Sequence, residues 1–118
     1  RLIIDGGHNV SSSLVISEWI KKQSQRVNLL VGMMKDKDHI EFMKSFQGLV
    51  KSVTIIDIPR QNGAIPKEEF KNKINNLNFE INLANTIKEG IELNTKNDNN
   101  IILCLGSLYL AGEILNLN

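Results

Sequence analysis

The chain has 118 residues, 42% of them hydrophobic and 23% charged, with a formal net charge of +1. That length suits one domain able to bury a core without disulfides or metal. The near-balanced charge excludes a strong electrostatic pull toward nucleic acid or an anionic membrane. A lone cysteine, Cys104, excludes an intramolecular disulfide, and its apolar setting predicts a buried, inert thiol. There is no apolar run of ~18 residues to cross a membrane, and no signal peptide. The chain opens inside an apparent strand without an initiator Met, so it reads as a fragment of a longer protein.

Apolar runs alternate with amphipathic segments, the pattern of a layered α/β domain. Residues 2–5 form a first strand, and Asn9 is placed to cap a helix over 10–24. Three- and four-residue spacing groups Val15, Trp19 and Lys22, or Leu14, Ile16 and Ile20, with Trp19 and Ile20 as core anchors. Val27 to Val31 is a second strand, stopped by Gly32. A charged loop leads into a helix over 38–47, capped by Asp36 or Asp38 and ended by Gly48. Its apolar stripe is Ile40, Phe42, Met43 and Phe46. A third strand spans Val50 to Ile58, and Pro66 opens a helix over 67–75 with Phe70 and Ile74 inward. Phe79 to Ile81 is a short edge strand, followed by a helix from Leu83 to Leu93 that buries Leu83, Ala84, Ile87 and Ile91. Asn94 to Asn100 is a polar turn, Ile101 to Leu105 the last strand, and 108–116 a closing helix. Crossover connections of this kind are right-handed. The expected fold is a mostly parallel, Rossmann-like open sheet with helices on both faces.

Three strand-to-helix junctions carry the polar groups: Asp5-Gly6-Gly7-His8-Asn9, Gly32 to His39, and Gly106-Ser107. If their strands are parallel neighbours, all three lie on one rim of the sheet, where such folds collect ligands. Asp5 could accept the hydroxyls of a ribose, or simply hold a turn. His8 could touch a phosphate or an incoming nucleophile, or be a turn histidine. Lys37, flanked by Asp36 and Asp38, could bind a carboxylate or phosphate as a point charge, or be solvated. Ser107 could donate to a substrate carboxylate, or be a plain N-cap. Asp-Gly-Gly-His-Asn lacks the third glycine of a dinucleotide fingerprint, and no Walker loop is present. His8, His39 and Cys104 give no zinc spacing.

Together these segments resemble folylpolyglutamate synthase and dihydrofolate synthase. Ile3-Ile4-Asp5-Gly6-Gly7-His8-Asn9 is similar to their D-G-A-H-N-P segment. Val31 to Asp38 is similar to their G-x-x-x-D-K-D loop, and Gly106 to Glu113 matches G-S-L-Y-L-A-G-E. All three occur in the family's order, and the resemblance covers residues 1–118 as one C-terminal domain of the Mur ligase type. Gly7 stands where the family has Ala, which should loosen the turn, and Val10 where it has Pro. Arg1 lies too close to the first motif to match the family's upstream arginine.

The resemblance implies an ATP-dependent amide ligase. ATP would phosphorylate a carboxylate of dihydropteroate or tetrahydrofolate, and L-glutamate would attack the acyl phosphate. Asp5 would contact the ATP ribose. His8 and Asn9 would lie near the phosphates and the amino-acid site, His8 with a catalytic part. Lys37 and Ser107 would hold the glutamate. The Walker loop, a carbamylated lysine and most Mg2+ ligands would belong to a central domain outside this chain, over which this domain closes. A monomeric cytoplasmic enzyme is implied, and the fragment should be inactive alone. A Mur-type or cyanophycin-type ligase, or a non-catalytic α/β binding module, are the alternatives.

Overall fold

The computed structural model describes residues 1–96 and 99–117. Residues 97 and 98, inside the polar turn expected over 94–100, lie outside the described residues. The elements run β1 (Leu2–Ile4), α1 (Val10–Lys21), β2 (Val27–Val31), α2 (His39–Lys44), β3 (Ser52–Ile56), α3 (Lys67–Ile74), β4 (Glu80–Ala84), α4 (Ile87–Asn94), β5 (Ile101–Leu105) and α5 (Leu108–Leu115). A short 3₁₀ turn over Asn75–Leu77 follows α3.

The sheet order is β1-β5-β2-β3-β4, and all four strand pairings within the sheet are parallel. β2 and β5 sit centrally and are buried on both faces, which is why both read as unbroken apolar runs. The chain winds one way from β1 to β4, then returns through α4 to insert β5 between β1 and β2. Right-handed crossovers therefore place α1, α2 and α3 on one face and α4 on the other, the face on which α5 also packs. The core divides accordingly. Ile16, Ile20, Phe42, Met43, Phe46, Phe70 and Ile74 pack on Leu29, Val31, Val53, Ile55 and Leu103. Ile87, Leu110 and Ile114 pack on Leu30, Ile56, Ile102 and Cys104 across the sheet.

Several expected boundaries move. In α1 the buried stripe is Ser13, Ile16, Ser17 and Ile20, while Leu14 and Val15 are exposed and Trp19 is half-buried. The two serines are tolerated inside because each hydroxyl donates back to a helix carbonyl, Ser13 to Val10 and Ser17 to Leu14, both at 2.8 Å. In α2 the buried positions are His39, Phe42 and Met43, and Ile40 faces outward. β4 extends through Leu83 and Ala84, which the sequence assigned to a helix. Pairing with β3 from Ser52–Glu80 to Ile56–Ala84 recruits them. α4 then starts only where the Thr86 side chain accepts from the Glu89 amide.

Candidate functional site

The carboxyl ends of β1, β5 and β2 are neighbours, so the three polar junctions meet on one rim. From adjacent strands, the chain leaves β1 toward α1 on one face and β5 toward α5 on the other. That divergence opens a crevice of the kind in which open α/β sheets bind ligands.

The β1–α1 turn is tied at several points. The Asp5 amide continues the ladder to the Cys104 carbonyl at 2.8 Å, and the Asp5 carboxylate accepts from the Gly7 amide at 2.7 Å. The Gly7 carbonyl accepts from the Gly106 amide at 2.8 Å, joining this turn to the β5–α5 turn. Gly7 sits close against α1. A Cβ there would lie 2.9 Å from Ile16 Cδ1 and 3.0 Å from Asp5 Oδ1, so the bare backbone lets the turn close on α1. His8 Nδ1 donates to the Gly6 carbonyl at 3.1 Å. Asn9 caps α1 through a reciprocal pair. Its Oδ1 accepts from the Ser12 amide at 2.8 Å, and Ser12 Oγ accepts from the Asn9 amide at 3.1 Å.

The β2–α2 loop is splinted by the segment between β3 and α3. Ile65 N donates to the Met33 carbonyl at 2.9 Å and Lys35 N to the Gly63 carbonyl at 2.7 Å, around an antiparallel bridge of Met34 with Ala64. Asp38, one of the two expected caps, accepts from the Glu41 amide at 3.3 Å. Lys37 is half-buried and makes no ion pair among the described residues. At the β5–α5 turn, Ser107 is 2% exposed, and its Oγ accepts from the Tyr109 and Leu110 amides at 3.0 and 3.5 Å. Both acceptor positions are thus used, and the hydroxyl proton is left to donate outward.

His8, Lys37 and Ser107 line one cleft of about 330 Å³, together with Met34, Asp36, Gly106, Leu108 and Tyr109. An ammonium, a hydroxyl donor and an imidazole around one small space suit an anion with a polar neighbour. Asp5 is not in this cleft. It lies across the β1–α1 turn in a groove of about 410 Å³ lined by Arg1, Ile3, Val15, Ile16, Trp19 and Leu103. Asn9, the N-cap of α1, lines neither. Met34, Asp36 and Tyr109 were not singled out from the sequence as lining residues, although each lies inside a motif that was. No three His, Cys, Asp or Glu side chains among the described residues converge into a metal-holding group. No helix among them is long and apolar enough to cross a membrane.

The family model for the C-terminal domain of dihydrofolate synthetase matches residues 1–117. Among solved structures, the chain is similar to Mycobacterium tuberculosis folylpolyglutamate synthase complexed with ADP. The TM-score is 0.88 at 16% identity, covering 98% of this chain and 29% of that one. A bifunctional folylpolyglutamate synthase/dihydrofolate synthase from Yersinia pestis, complexed with AMPPNP and a Mn ion, gives 0.81 at 13% identity, over 97% of this chain and 27% of that one. Helicobacter pylori folylpolyglutamate synthetase gives 0.77 at 22% identity, over 98% and 28%. The chain therefore spans less than a third of the length of each of these proteins. No curated protein sequence matches it significantly. At these identities the structural likeness establishes the fold.

Proposed function

The chain belongs to the dihydrofolate synthetase C-terminal domain family, and from that membership we propose that it serves an ATP-dependent ligase joining L-glutamate to a folate or pteroate carboxylate. ATP supplies the phosphoryl group that activates the acceptor as an acyl phosphate, which the glutamate amine then attacks. In this reading Lys37 pairs with a carboxylate of glutamate and the Ser107 hydroxyl donates to it, so that the amine is held within reach of the acyl carbon. His8 lies beside the incoming amine and the phosphates, and Asn9 is close to the phosphates. Asp5, across the turn, offers its carboxylate to the ribose. The donor set of the cleft suits anions better than a divalent cation, with Asp36 its one carboxylate. Magnesium would accordingly be held mainly by a preceding central domain, over which this one closes. We place the enzyme in the cytoplasm, as a monomer.

The observation that supports this reading is that His8, Lys37 and Ser107 share one cleft while Asp5 flanks the same turn. The test uses the full-length protein with dihydropteroate, tetrahydrofolate and UDP-muramyl acceptors. Glutamate-dependent ADP release with a folate-type acceptor is expected. Activity only with the muramyl acceptor would move the enzyme to the cell-wall branch, and none at all would favour a binding module. Lys37→Ala should raise the glutamate KM sharply and leave the ATP KM unchanged.

A further inference from the structure

His39 lies outside the cleft, is 2% exposed, and has both ring nitrogens engaged. Nε2 is 2.8 Å from the Met34 carbonyl, and Nδ1 is 3.3 Å from the ammonium of Lys73 on α3. A carbonyl can only accept and an ammonium can only donate. Nε2 therefore carries the proton and Nδ1 the lone pair, which defines one neutral tautomer. The ring also packs on Phe70 at 5.4 Å between centroids, tilted by 50°. Asp38 and Glu69 are the other charged groups that face it. Met34, which His39 grips, lines the cleft with Asp36 and Lys37.

The loop that presents Lys37 is thus held from two sides. The backbone of residues 63–65 grips Met33 and Lys35, and between those attachments the Met34 carbonyl is turned inward to His39. We infer that His39 is a positioning residue for the glutamate subsite. By holding the Met34 carbonyl it fixes the path of the chain into Lys37, and Lys73 holds the ring in the tautomer that does this. The inference rests on the reading of Lys37 as the glutamate-binding cation. A charged group on a four-carbon stem gains from a fixed backbone, because its reach is otherwise spread over many rotamers.

The test compares Lys37→Ala, His39→Phe, His39→Gln and Lys73→Met in the full-length ligase. Phe keeps a ring against Phe70 but has no polar atom, whereas Gln keeps an amide that can donate to the Met34 carbonyl. His39→Phe is expected to raise the glutamate KM roughly tenfold, the scale of one lost hydrogen bond, with kcat and the ATP KM unchanged. His39→Gln should return it to within about twofold of the parent if the donor is what matters. Lys73 is exposed, so Lys73→Met tests the same device without touching the core, and it should raise the glutamate KM in the same direction. In the parent enzyme, the ring nitrogen shifts of His39 should report the Nε2-protonated form. A raised glutamate KM in Lys37→Ala with an unchanged one in His39→Phe and Lys73→Met overturns the inference and leaves the ligase reading standing. Equal losses in kcat and both KM values in His39→Phe, not rescued by Gln, reduce His39 to a packing residue and also overturn it. An unchanged glutamate KM in Lys37→Ala removes the premise and the inference with it.

Discussion

The carbonyl of Gly7 accepts from the amide of Gly106 at 2.8 Å, so the turn after β1 and the turn after β5 are one hydrogen-bonded unit. The bond joins the turns that carry His8 and Ser107, both of which line a shared cleft. It depends on Gly106, whose φ is +110° and whose missing Cβ would lie 2.6 Å from the Gly32 carbonyl oxygen.

Gly106→Ala should therefore be severe, combining an unfavourable backbone angle with a backbone clash, and should cost about 3 kcal/mol in urea unfolding. Gly112→Ala is the control. It lies within α5 with nothing inside 4 Å of a new Cβ, so it should stabilise by about 0.5–1 kcal/mol. Equal effects at the two sites would contradict the close approach of β2 and β5 at this rim.

Asn9 has two separable parts. Asn9→Ala removes the oxygen that caps α1 and should cost about 1 kcal/mol of stability. Asn9→Asp keeps a capping oxygen and should retain that stability, while a negative charge near the proposed phosphates raises the ATP KM. An ATP KM left unchanged by both variants would assign Asn9 to capping alone.

Burial pushes the Cys104 thiol up to about 12, and the side chain is 1% exposed. A thiol reagent at pH 8 should not label the folded chain, and labelling should appear in step with urea unfolding. Fast labelling of the native protein would contradict this placement, since only the thiolate reacts.

The pKa of His39 lies below its ordinary 6.5, chiefly through burial and with a further push from the Lys73 ammonium, although the Met34 carbonyl opposes the shift. Below that ordinary value the unfolded chain binds a proton that the folded chain refuses. The contribution of His39 to stability is therefore complete above pH 6.5 and falls as the pH drops from there toward the lowered folded value. The slope from this residue is at most about 1.4 kcal/mol per pH unit. Urea midpoints measured across this range should show a fall that flattens in His39→Gln. A parent profile as flat as the variant's would mean that the ring is not held neutral.

Much of this architecture is local enough to read from the letters. β2 and β5 were bounded correctly because a central strand must be apolar on both faces. Asn9, Asp38 and Ser107 were recognisable as caps because their side-chain oxygens accept from amides within the next three residues. β4 was cut short because Glu80-Ile81-Asn82-Leu83 alternates as an edge strand does, and Leu83 also suits the helical spacing that follows. Only pairing with β3 decides between the two. The six-residue α2 is too short for periodicity to choose a face, so contact with Phe70 selects His39 over Ile40.

The amino-acid sequence by itself determined the element types apart from Leu83 and Ala84, the caps at Asn9, Asp38 and Ser107 but not Thr86, and the polar groups placed after β1, β2 and β5. Tertiary structure alone decided which of those groups meet. β5 must return between β1 and β2 before the three turns adjoin, a pairing across about a hundred residues that no local preference encodes. The same topology sends α1 and α5 to opposite faces. Because β5 lies between β1 and β2, the turn that carries Ser107 borders both the turn of His8 and the loop of Lys37, and the three share a cleft, while Asp5, three residues from His8, lines a separate groove.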